Sequence, residues 1–223
     1  MKKTKNQILA KNLSDYLDYL KNQPNGFVYN TSKEKDKQTK KVELEKLYNK
    51  YKNCQECPLA NQGRIQVVFG QGNPNAKLMF VGEGPGKNED AQGVPFVGKA
   101  GHLLTKIFKA MKLERSDVYI SNVVKCRPPN NRTPMPNESQ KCKSILLFKE
   151  IEIIKPKIIC TLGSSATQAL LGDHIRISKI RGIFFSINKY LVMPTFHPAY
   201  LLRNPNAKKD VWQDMKKITK RLE

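Results

Sequence analysis

Five cysteines are the residues of this chain whose chemistry is most specific. Cys54 and Cys57 form a C-x-x-C pair, and Cys126 and Cys142 follow further along the chain. Four thiolates can bind a tetrahedral Zn²⁺ ion or a [4Fe–4S] cluster, and spacing alone does not separate these possibilities. Cys126 and Cys142 could equally be small core residues. Cys160 lies inside an apolar run and is predicted to be a buried hydrophobic residue outside any site.

A second set of chemically active side chains follows short apolar runs. A carboxylate can position or deprotonate a water molecule, an amide offers both a donor and an acceptor, and a histidine can donate a hydrogen bond to developing negative charge. Each residue also has an ordinary structural explanation, such as a turn-forming asparagine, a core phenylalanine or a histidine in a turn. The residues concerned are Glu83, Glu89, Phe96, Asn122 and His197.

The charge of the chain indicates a polyanionic partner. The formal net charge is +21, and the segment from Cys54 onward holds 27 of the 40 basic residues against 13 of the 19 acidic ones. The excess is therefore not confined to the N-terminal segment. Neutralising phosphates supplies most of the non-specific affinity of proteins for nucleic acids. A Lys-rich composition without a dedicated partner would give the same charge.

Four apolar runs alternate with helical patterns in the part of the chain that carries these residues. The runs cover 77–81, 118–120, 158–162 and 190–193, and the helical patterns cover about 98–112, 137–154, 163–171 and 207–221. This alternation predicts an α/β fold, a three-layer αβα sandwich around a central four-stranded parallel sheet. Working residues of such sheets lie beyond the carboxyl ends of the strands, where the second set of side chains falls.

The N-terminal part differs in composition from the rest. Apolar residues at helical spacing predict an amphipathic helix over about 5–21, and residues 30–41 contain no apolar side chain and are predicted to be a Lys-rich linker. We therefore predict an N-terminal extension over 1–41 and one domain over 42–223. Neither a membrane span nor a secretory leader is recognisable, and a cytoplasmic location is expected.

Three sequence blocks in this order resemble the family 4 uracil-DNA glycosylases, the thermostable iron–sulfur type. They read VGEGPGKNEDAQGVPFVGKAGHLL from Val81, SNVVKCRPPNNRTP from Ser121, and HPAYLLRNP from His197. The resemblance spans about residues 44–222. The four cysteines outside the apolar run match the cluster ligands of that family in order and spacing, and so imply a [4Fe–4S] cofactor.

The resemblance also implies roles for the residues of the second set. His197 would donate a hydrogen bond to uracil O2 as the glycosidic bond lengthens, and the amide of Asn122 would contact the O4 and N3–H edge. His197, Glu83 and Glu89 are the predicted catalytic residues. The predicted uracil pocket consists of Gly82, Glu83, Gly84, Phe96, Asn122 and His197.

The two glutamates leave the water-activating residue open. Other branches of the superfamily have an aspartate one position after the residue matching Glu83, where this chain has Gly84. The residue matching Glu89 lies near uracil C5 in the family, where it could exclude the methyl group of thymine.

The block from His197 resembles the loop that enters the DNA stack in this family. An apolar wedge there would offset the cost of unstacking a base, and one of its two leucines is expected to be buried instead. The predicted DNA-binding residues are Tyr200, Leu201, Leu202, Arg203, Arg127 and Arg132, with Lys125 nearby as a further backbone-binding candidate.

The predicted activity is monofunctional excision of uracil from DNA, giving free uracil and an intact strand with an abasic site. The expected partner is uracil-containing DNA, and the expected state is a monomer. A non-enzymatic iron–sulfur DNA-binding protein is the alternative, for which Gly84 is the only support; an electron-transfer module is a third. Strand preference, other deaminated bases and the role of residues 1–41 stay open.

Overall fold

The structure is a computed structural model that describes residues 32–172 and 176–223, with side chains from residue 38 onward. Contacts divide the chain into Met1–Gln38 and Thr39–Glu223. The helix predicted over 5–21 lies outside the described residues. The sheet and its two cores belong to the second unit.

Four parallel strands form the centre of the sheet, as predicted. They are β2 (Leu78–Gly82), β3 (Tyr119–Asn122), β4 (Ile158–Leu162) and β6 (Tyr190–Thr195). The order along the sheet is β3-β2-β4-β6. Gly82 is in register with Asn122 on the neighbouring strand, which places these two residues side by side where both strands end.

The sheet has six strands rather than the predicted four. β1 (Gln71–Gly72) pairs antiparallel with β3, and β5 (Phe185–Ile187) pairs antiparallel with β6. β1 is too short to leave a periodic signal. β5 forms a hairpin with β6 through Asn188 and Lys189, and Asn188 has a φ of 51°, as such two-residue turns require. Both additions are edge strands, so the three-layer prediction is unchanged.

Two apolar cores flank the sheet because alternate side chains of each strand point to opposite faces. Met79 and Val81 pack on one face, and Leu78 and Phe80 pack on the other. The first core is covered by α1 (Ser32–Tyr51), α4 (Pro136–Cys142), a π-helical turn (Lys143–Leu147), α5 (Phe148–Ile154) and α6 (Ser164–Leu171). The second is covered by α3 (Lys99–Ala110), α8 (Pro198–Arg203) and α9 (Lys208–Leu222).

Two shorter α-helices are α2 (Lys87–Gln92) and α7 (Ile177–Ile180), and short 3-10 turns cover Pro58–Asn61, Pro129–Asn131 and Pro205–Ala207. None of the helices within the described ranges is both long and apolar enough to cross a membrane.

The helix α1 begins at Ser32, inside the segment 30–41 that is predicted to be a linker. The prediction of a linker over 30–41 is therefore wrong for residues 32–41. Lys, Glu and Gln are strong helix formers even without an apolar face. The assignment of 1–41 as a separate extension remains a prediction.

Candidate active site

A cavity of about 700 Å³ opens at the carboxyl ends of the parallel strands. Residues from the ends of β2, β3, β4 and β6 all reach its wall. Of the predicted uracil-binding residues, five line it: Glu83, Gly84, Phe96, Asn122 and His197. Glu89, Arg132, Tyr200 and Arg203 line it as well. The fold thus brings together segments more than a hundred residues apart in sequence.

Gly82 lies behind this wall and sets how closely its neighbours approach. A Cβ atom on Gly82 would lie 2.4 Å from the Phe96 ring and 2.5 Å from Asn122 Oδ1. Side-chain atoms do not tolerate such distances, so only glycine lets both groups occupy these positions. Asn122 is 2% exposed, and its Oδ1 has no hydrogen-bond partner among the residues that the structure describes. A buried, unpaired acceptor is costly and uncommon in native proteins.

Phe96 forms an aromatic face of the cavity in a strained backbone conformation. Its φ is 56°, in the left-handed region that costs a non-glycine residue about 1–3 kcal/mol. Its ring centroid lies 5.7 Å from that of His197, with 34° between the ring planes. The two rings therefore bound the same space, into which a flat heterocycle could insert.

His197 is oriented by the helix that it starts. As the N-cap of α8, it accepts a hydrogen bond at Nδ1 from the backbone amide of Ala199, at 3.1 Å. A neutral ring that accepts at Nδ1 carries its proton on Nε2. Burial lowers the pKa of His197 to about 4, with a contribution from Arg203 in the same direction and an opposing one from Glu89. The residue is therefore a neutral donor at neutral pH.

The carboxylate of Glu89 is held by backbone amides. Oε1 accepts from Val97 at 2.9 Å and from Gly98 at 2.8 Å, and Oε2 accepts from Gly86 at 3.2 Å. Three of the roughly four acceptor positions of the carboxylate are thus occupied. This side chain ties the start of α2 to the loop that carries Phe96.

Glu83 is engaged at one oxygen only in the described part of the chain. Its Oε2 accepts a short hydrogen bond from the hydroxyl of Ser165, in the first turn of α6. Ser164 and Ser165 also line the cavity, and sequence reasoning missed them. Their signal was a polar turn, Gly163-Ser164-Ser165, directly after a buried strand.

Gly84 packs under the loop after β3. A Cβ atom there would lie 2.7 Å from Val124 Cγ2. An aspartate at this position would require Val124 to move, which is a packing reason for glycine in this chain.

The predicted wedge is divided between core and surface. Leu202 is 46% exposed and Tyr200 is 39% exposed, whereas Leu201 is 1% exposed and packs in the second core. As expected, one of the two leucines is buried, because successive residues of a helix turn point in different directions. That Leu201 contacts DNA stays a prediction. Arg203 is exposed beside them.

The basic residues predicted to contact the DNA backbone differ in whether their side chains already have partners in the protein and in whether they are exposed. Arg132 makes a two-point ion pair with Glu138 at 2.7 and 2.8 Å, and Arg127 donates to Asn131 at 2.8 Å. The backbone-binding prediction for Lys125 is wrong: it is fully buried and pairs with Glu150 at 2.6 Å. Its neighbours in sequence place it inside the first core, where a cation requires a partner.

Four cysteines converge beside this pair. Cys54, Cys57, Cys126 and Cys142 belong to the first core and influence one another electrostatically. Arg64 donates to Cys126 Sγ at 2.8 Å, and the Lys125 amide donates to Cys142 Sγ at 3.3 Å. Cys160, as predicted, is buried in the second core.

Burial is the largest influence on the pKa of three of these thiols, although Arg64 acts in the opposite direction on Cys126 and Lys125 does so on Cys142. Burial raises the pKa of Cys57, of Cys126 and of Cys142, the last to about 12. Within residues 32–172 and 176–223, no group of three or more His, Cys, Asp or Glu side chains is placed to hold a metal ion. The donor set is nevertheless four thiols with two N–H donors to sulfur.

A family model and several known proteins that resemble this chain all point to the same family. Residues 69–216 match the model of the "Uracil DNA glycosylase superfamily". A type-4 uracil-DNA glycosylase of Thermotoga maritima is 48% identical over 168 residues, which cover 74% of this chain and 86% of that protein. A type-4 enzyme of Sulfurisphaera tokodaii is 48% identical over 185 residues, covering 78% and 83%.

A more distant relative agrees. The type-4 uracil-DNA glycosylase of Archaeoglobus fulgidus is 38% identical over 183 residues, covering 78% of this chain and 91% of that protein. The region matched by the family model, residues 69–216, contains the residues that line the cavity, together with Cys126 and Cys142. The chain therefore belongs to the uracil-DNA glycosylase superfamily and, within it, to the type-4 uracil-DNA glycosylases.

Proposed function

We propose that this protein hydrolyses the N-glycosidic bond of deoxyuridine in DNA, releasing free uracil and leaving an abasic site in an intact strand. One observation carries the proposal: the cavity combines the Phe96 ring, the buried unpaired Oδ1 of Asn122 and the neutral imidazole of His197. A base flipped out of a duplex is recognised by stacking and by hydrogen bonds to its edge.

The amide of Asn122 provides the selection of the base. Its Oδ1 accepts from N3–H of uracil, and its Nδ2 donates to O4. Cytosine has an acceptor at N3 and an amino group at C4, so the same amide would face donor against donor and acceptor against acceptor. The unpaired Oδ1 supports this role, because the base would supply the partner that the protein lacks.

His197 supports departure of the base. As the glycosidic bond lengthens, negative charge develops on uracil O2 and positive charge on the sugar. The Nε2–H of His197 donates to that oxygen, an electrostatic stabilisation that needs no proton transfer. Because the imidazole is neutral, it remains a donor without placing a positive charge next to the developing cation of the sugar.

The two glutamates have different roles in this proposal. Glu83 positions the attacking water and stabilises the charge on the sugar, with Ser165 holding one of its oxygens. Glu89 is the weaker candidate for that task because backbone amides occupy both of its oxygens. It forms the wall near C5 of the base and fixes the Phe96 loop.

Exposed residues around the cavity contact the DNA strand. Leu202, supported by Tyr200, enters the stack where the flipped base leaves it, and Arg203 neutralises a neighbouring phosphate. Arg127 and Arg132 contact the backbone on the other side of the cavity. The net charge of +21 supplies the sequence-independent part of the affinity.

A [4Fe–4S] cluster held by Cys54, Cys57, Cys126 and Cys142 is the proposed cofactor. The donor set fits, since four thiolates are a ligand set of such clusters and N–H···S contacts from Arg64 and Lys125 offset their charge. A bound cluster would use all four thiolates as ligands. It would supply a covalent cross-link between residues 54–57 and 126–142.

The test uses a labelled oligonucleotide with one internal uracil. The purified protein is incubated with it in EDTA, and the strands are resolved with and without alkali. We expect a break at the uracil position only after alkali, together with release of free uracil. A break without alkali would contradict monofunctional action.

A protein that binds the DNA but leaves the uracil in place would contradict the proposal and support a non-enzymatic DNA-binding role. The matched variants are His197→Ala, which we expect to bind DNA without excising uracil, and Arg221→Ala, which changes an exposed residue at the end of α9 and should excise normally.

A further inference from the structure

The loop over residues 95–98, called here the Phe96 loop, is restrained from two opposite sides. On one side, the guanidinium of Arg115 donates to the carbonyl oxygens of Pro95 at 2.8 Å and of Phe96 at 3.1 Å. On the other, the carboxylate of Glu89 accepts from the amides of Val97 and Gly98. A cation thus holds the carbonyl end of the loop and an anion holds the amide end.

The Phe96 peptide is also pressed against a helix. A Cβ atom on Gly101 of α3 would lie 2.0 Å from the Phe96 carbonyl oxygen. That contact and one of the two hydrogen bonds from Arg115 act on the same carbonyl, while the other hydrogen bond holds the neighbouring carbonyl of Pro95. Phe96 has a φ of 56°, which an L residue keeps only where its surroundings enforce it.

Arg115 has no carboxylate partner that could explain its position. None of the ion pairs in the described part of the chain includes it, and its remaining contact is Thr105 Oγ1 at 3.5 Å. Burial lowers its pKa, so placing a cation there costs free energy that a surface position would not. The planar guanidinium can donate to two adjacent carbonyl oxygens at once, whereas the ammonium group of a lysine cannot do so in the same geometry.

We propose that Arg115 is a positioning residue for base recognition: it holds the backbone of Phe96 in the left-handed conformation that aims the ring at the flipped base. The inference rests on the proposed function and adds a residue that lies outside the cavity wall and contacts no substrate atom. Loss of the guanidinium would let the Phe96 peptide relax and displace the ring from its stacking position.

The functional test compares Arg115→Met and Arg115→Lys with the control Arg221→Met. Four quantities are measured on duplex DNA: kcat, KM, inhibition by free uracil, and affinity for abasic-site DNA. We expect Arg115→Met to lower kcat/KM about 100-fold, as displacements of about 1 Å in a site can do. Inhibition by free uracil should weaken about tenfold, since a base–aromatic stack is lost.

The other expectations separate positioning from general damage. Arg115→Lys, which can reach one carbonyl at a time, should fall between wild type and Arg115→Met. Affinity for abasic-site DNA, which lacks the stacking base, should stay within about twofold for all variants, as surface changes do. Unchanged inhibition by free uracil in Arg115→Met would overturn the proposal, because the ring would then not depend on Arg115.

A double-mutant cycle with Phe96→Gly tests the same link without relying on catalysis. Glycine adopts a φ of 56° without strain. In the wild type, relaxation of Phe96 offsets part of the loss of the Arg115 hydrogen bonds, so Arg115→Met should destabilise the Phe96→Gly protein more than the wild type, measured by denaturant unfolding. Equal effects in both backgrounds would overturn the proposal. If the wild type releases no uracil, the proposed function fails, but this cycle still decides whether Arg115 restrains Phe96.

Discussion

At the scale of single residues, the tautomer of His197 follows from a helix cap. The Ala199 amide occupies Nδ1, and the pKa of about 4 keeps the ring neutral. An imidazolium would donate from both nitrogens and would lose this cap. The residue is thus specialised for donating from Nε2 in its neutral form.

The pH dependence of excision tests this assignment. Because the pKa of His197 lies at about 4, its titration should not limit the rate between about pH 5 and 8, where unperturbed histidines change charge. We expect single-turnover rates without a limb of pKa 6–7. Such a limb, present in the wild type and absent in His197→Gln, would contradict the assignment.

The same shift has a consequence for stability. The unfolded imidazole titrates near its usual value of 6.5, above the folded value. The free energy of unfolding that this pKa difference contributes is therefore fully present above pH 6.5 and is lost as the pH falls toward 4. The decrease in the free energy of unfolding between pH 7 and 5 should be smaller in His197→Gln.

Gly82→Ala should separate folding from excision. The added methyl group would meet the Phe96 ring at 2.4 Å and Asn122 Oδ1 at 2.5 Å, so both groups would shift from the base. We expect excision to fall about 100-fold while affinity for abasic-site DNA is retained. The measurement is single-turnover excision, and a rate within twofold of wild type would show that the pocket tolerates the methyl group.

The sequence identifies site residues that follow strand ends and misses those that act at a distance. Asn122 and His197 could be predicted because they lie two and four residues after the end of an apolar run. Arg115 and Ser165 could not, because their partners, the Phe96 loop and Glu83, lie 20 and 82 positions away in sequence. Nothing in the local pattern indicates such contacts.

At the scale of elements, α8 divides its residues between two tasks. Its first residues follow the cap of His197, Leu201 anchors it in the second core, and Leu202 projects into solvent. Because Leu201 fixes the helix in the core, Leu202 can insert into the DNA stack without displacing the helix.

The two adjacent leucines allow a matched comparison. Leu202→Ala should leave the free energy of unfolding within about 0.5 kcal/mol of wild type but slow excision from duplex DNA, where unstacking costs a few kcal/mol. Single-stranded DNA needs no such wedge and should react normally. Leu201→Ala should instead destabilise the fold by about 2–5 kcal/mol. Excision from both substrates and urea unfolding are measured.

If Leu202→Ala slowed excision equally from duplex and single-stranded DNA, Leu202 would not act as a wedge. The comparison relies on the burial of the two side chains, which the sequence could not assign. Two consecutive leucines have the same hydrophobicity, and only the packing of α8 on the sheet decides which one is buried.

The sheet was predictable in its centre and not at its edges. The four parallel strands are buried on both faces and so have continuous apolar runs. β1 and β5 are exposed or half-buried, and an edge strand needs no such run.

At the scale of the whole molecule, the cysteine site and the base pocket share one segment. β3 ends at Asn122, Lys125 lies three residues on, and Cys126 follows it. Lys125 Nζ donates to the Asn122 carbonyl at 2.9 Å and pairs with Glu150. The proposed cofactor site and Asn122 are therefore joined through a buried ion pair.

Removing one cysteine should therefore affect stability before chemistry. We expect Cys126→Ser to lower the melting temperature and increase proteolysis near residues 54–64, since Arg64 and the cross-link both depend on this position. Cys160→Ser is the control, because it lies in the opposite core and should leave the visible absorbance of the cluster unchanged. A Cys126→Ser protein with wild-type stability would contradict a structural cluster.

The π-helical turn between α4 and α5 sets the relative direction of the side chains on either side of it. Cys142 and Glu150 both contact Lys125, yet in a regular α-helix residues eight apart differ in direction by about 80°. A π turn winds less per residue and brings the thiol and the carboxylate toward one face. Deleting one residue from this turn would leave the two residues seven apart, and in a regular α-helix such residues differ in direction by only about 20°, whereas an insertion would turn them away from each other. We therefore expect this helix to accept a single-residue deletion more readily than a single-residue insertion.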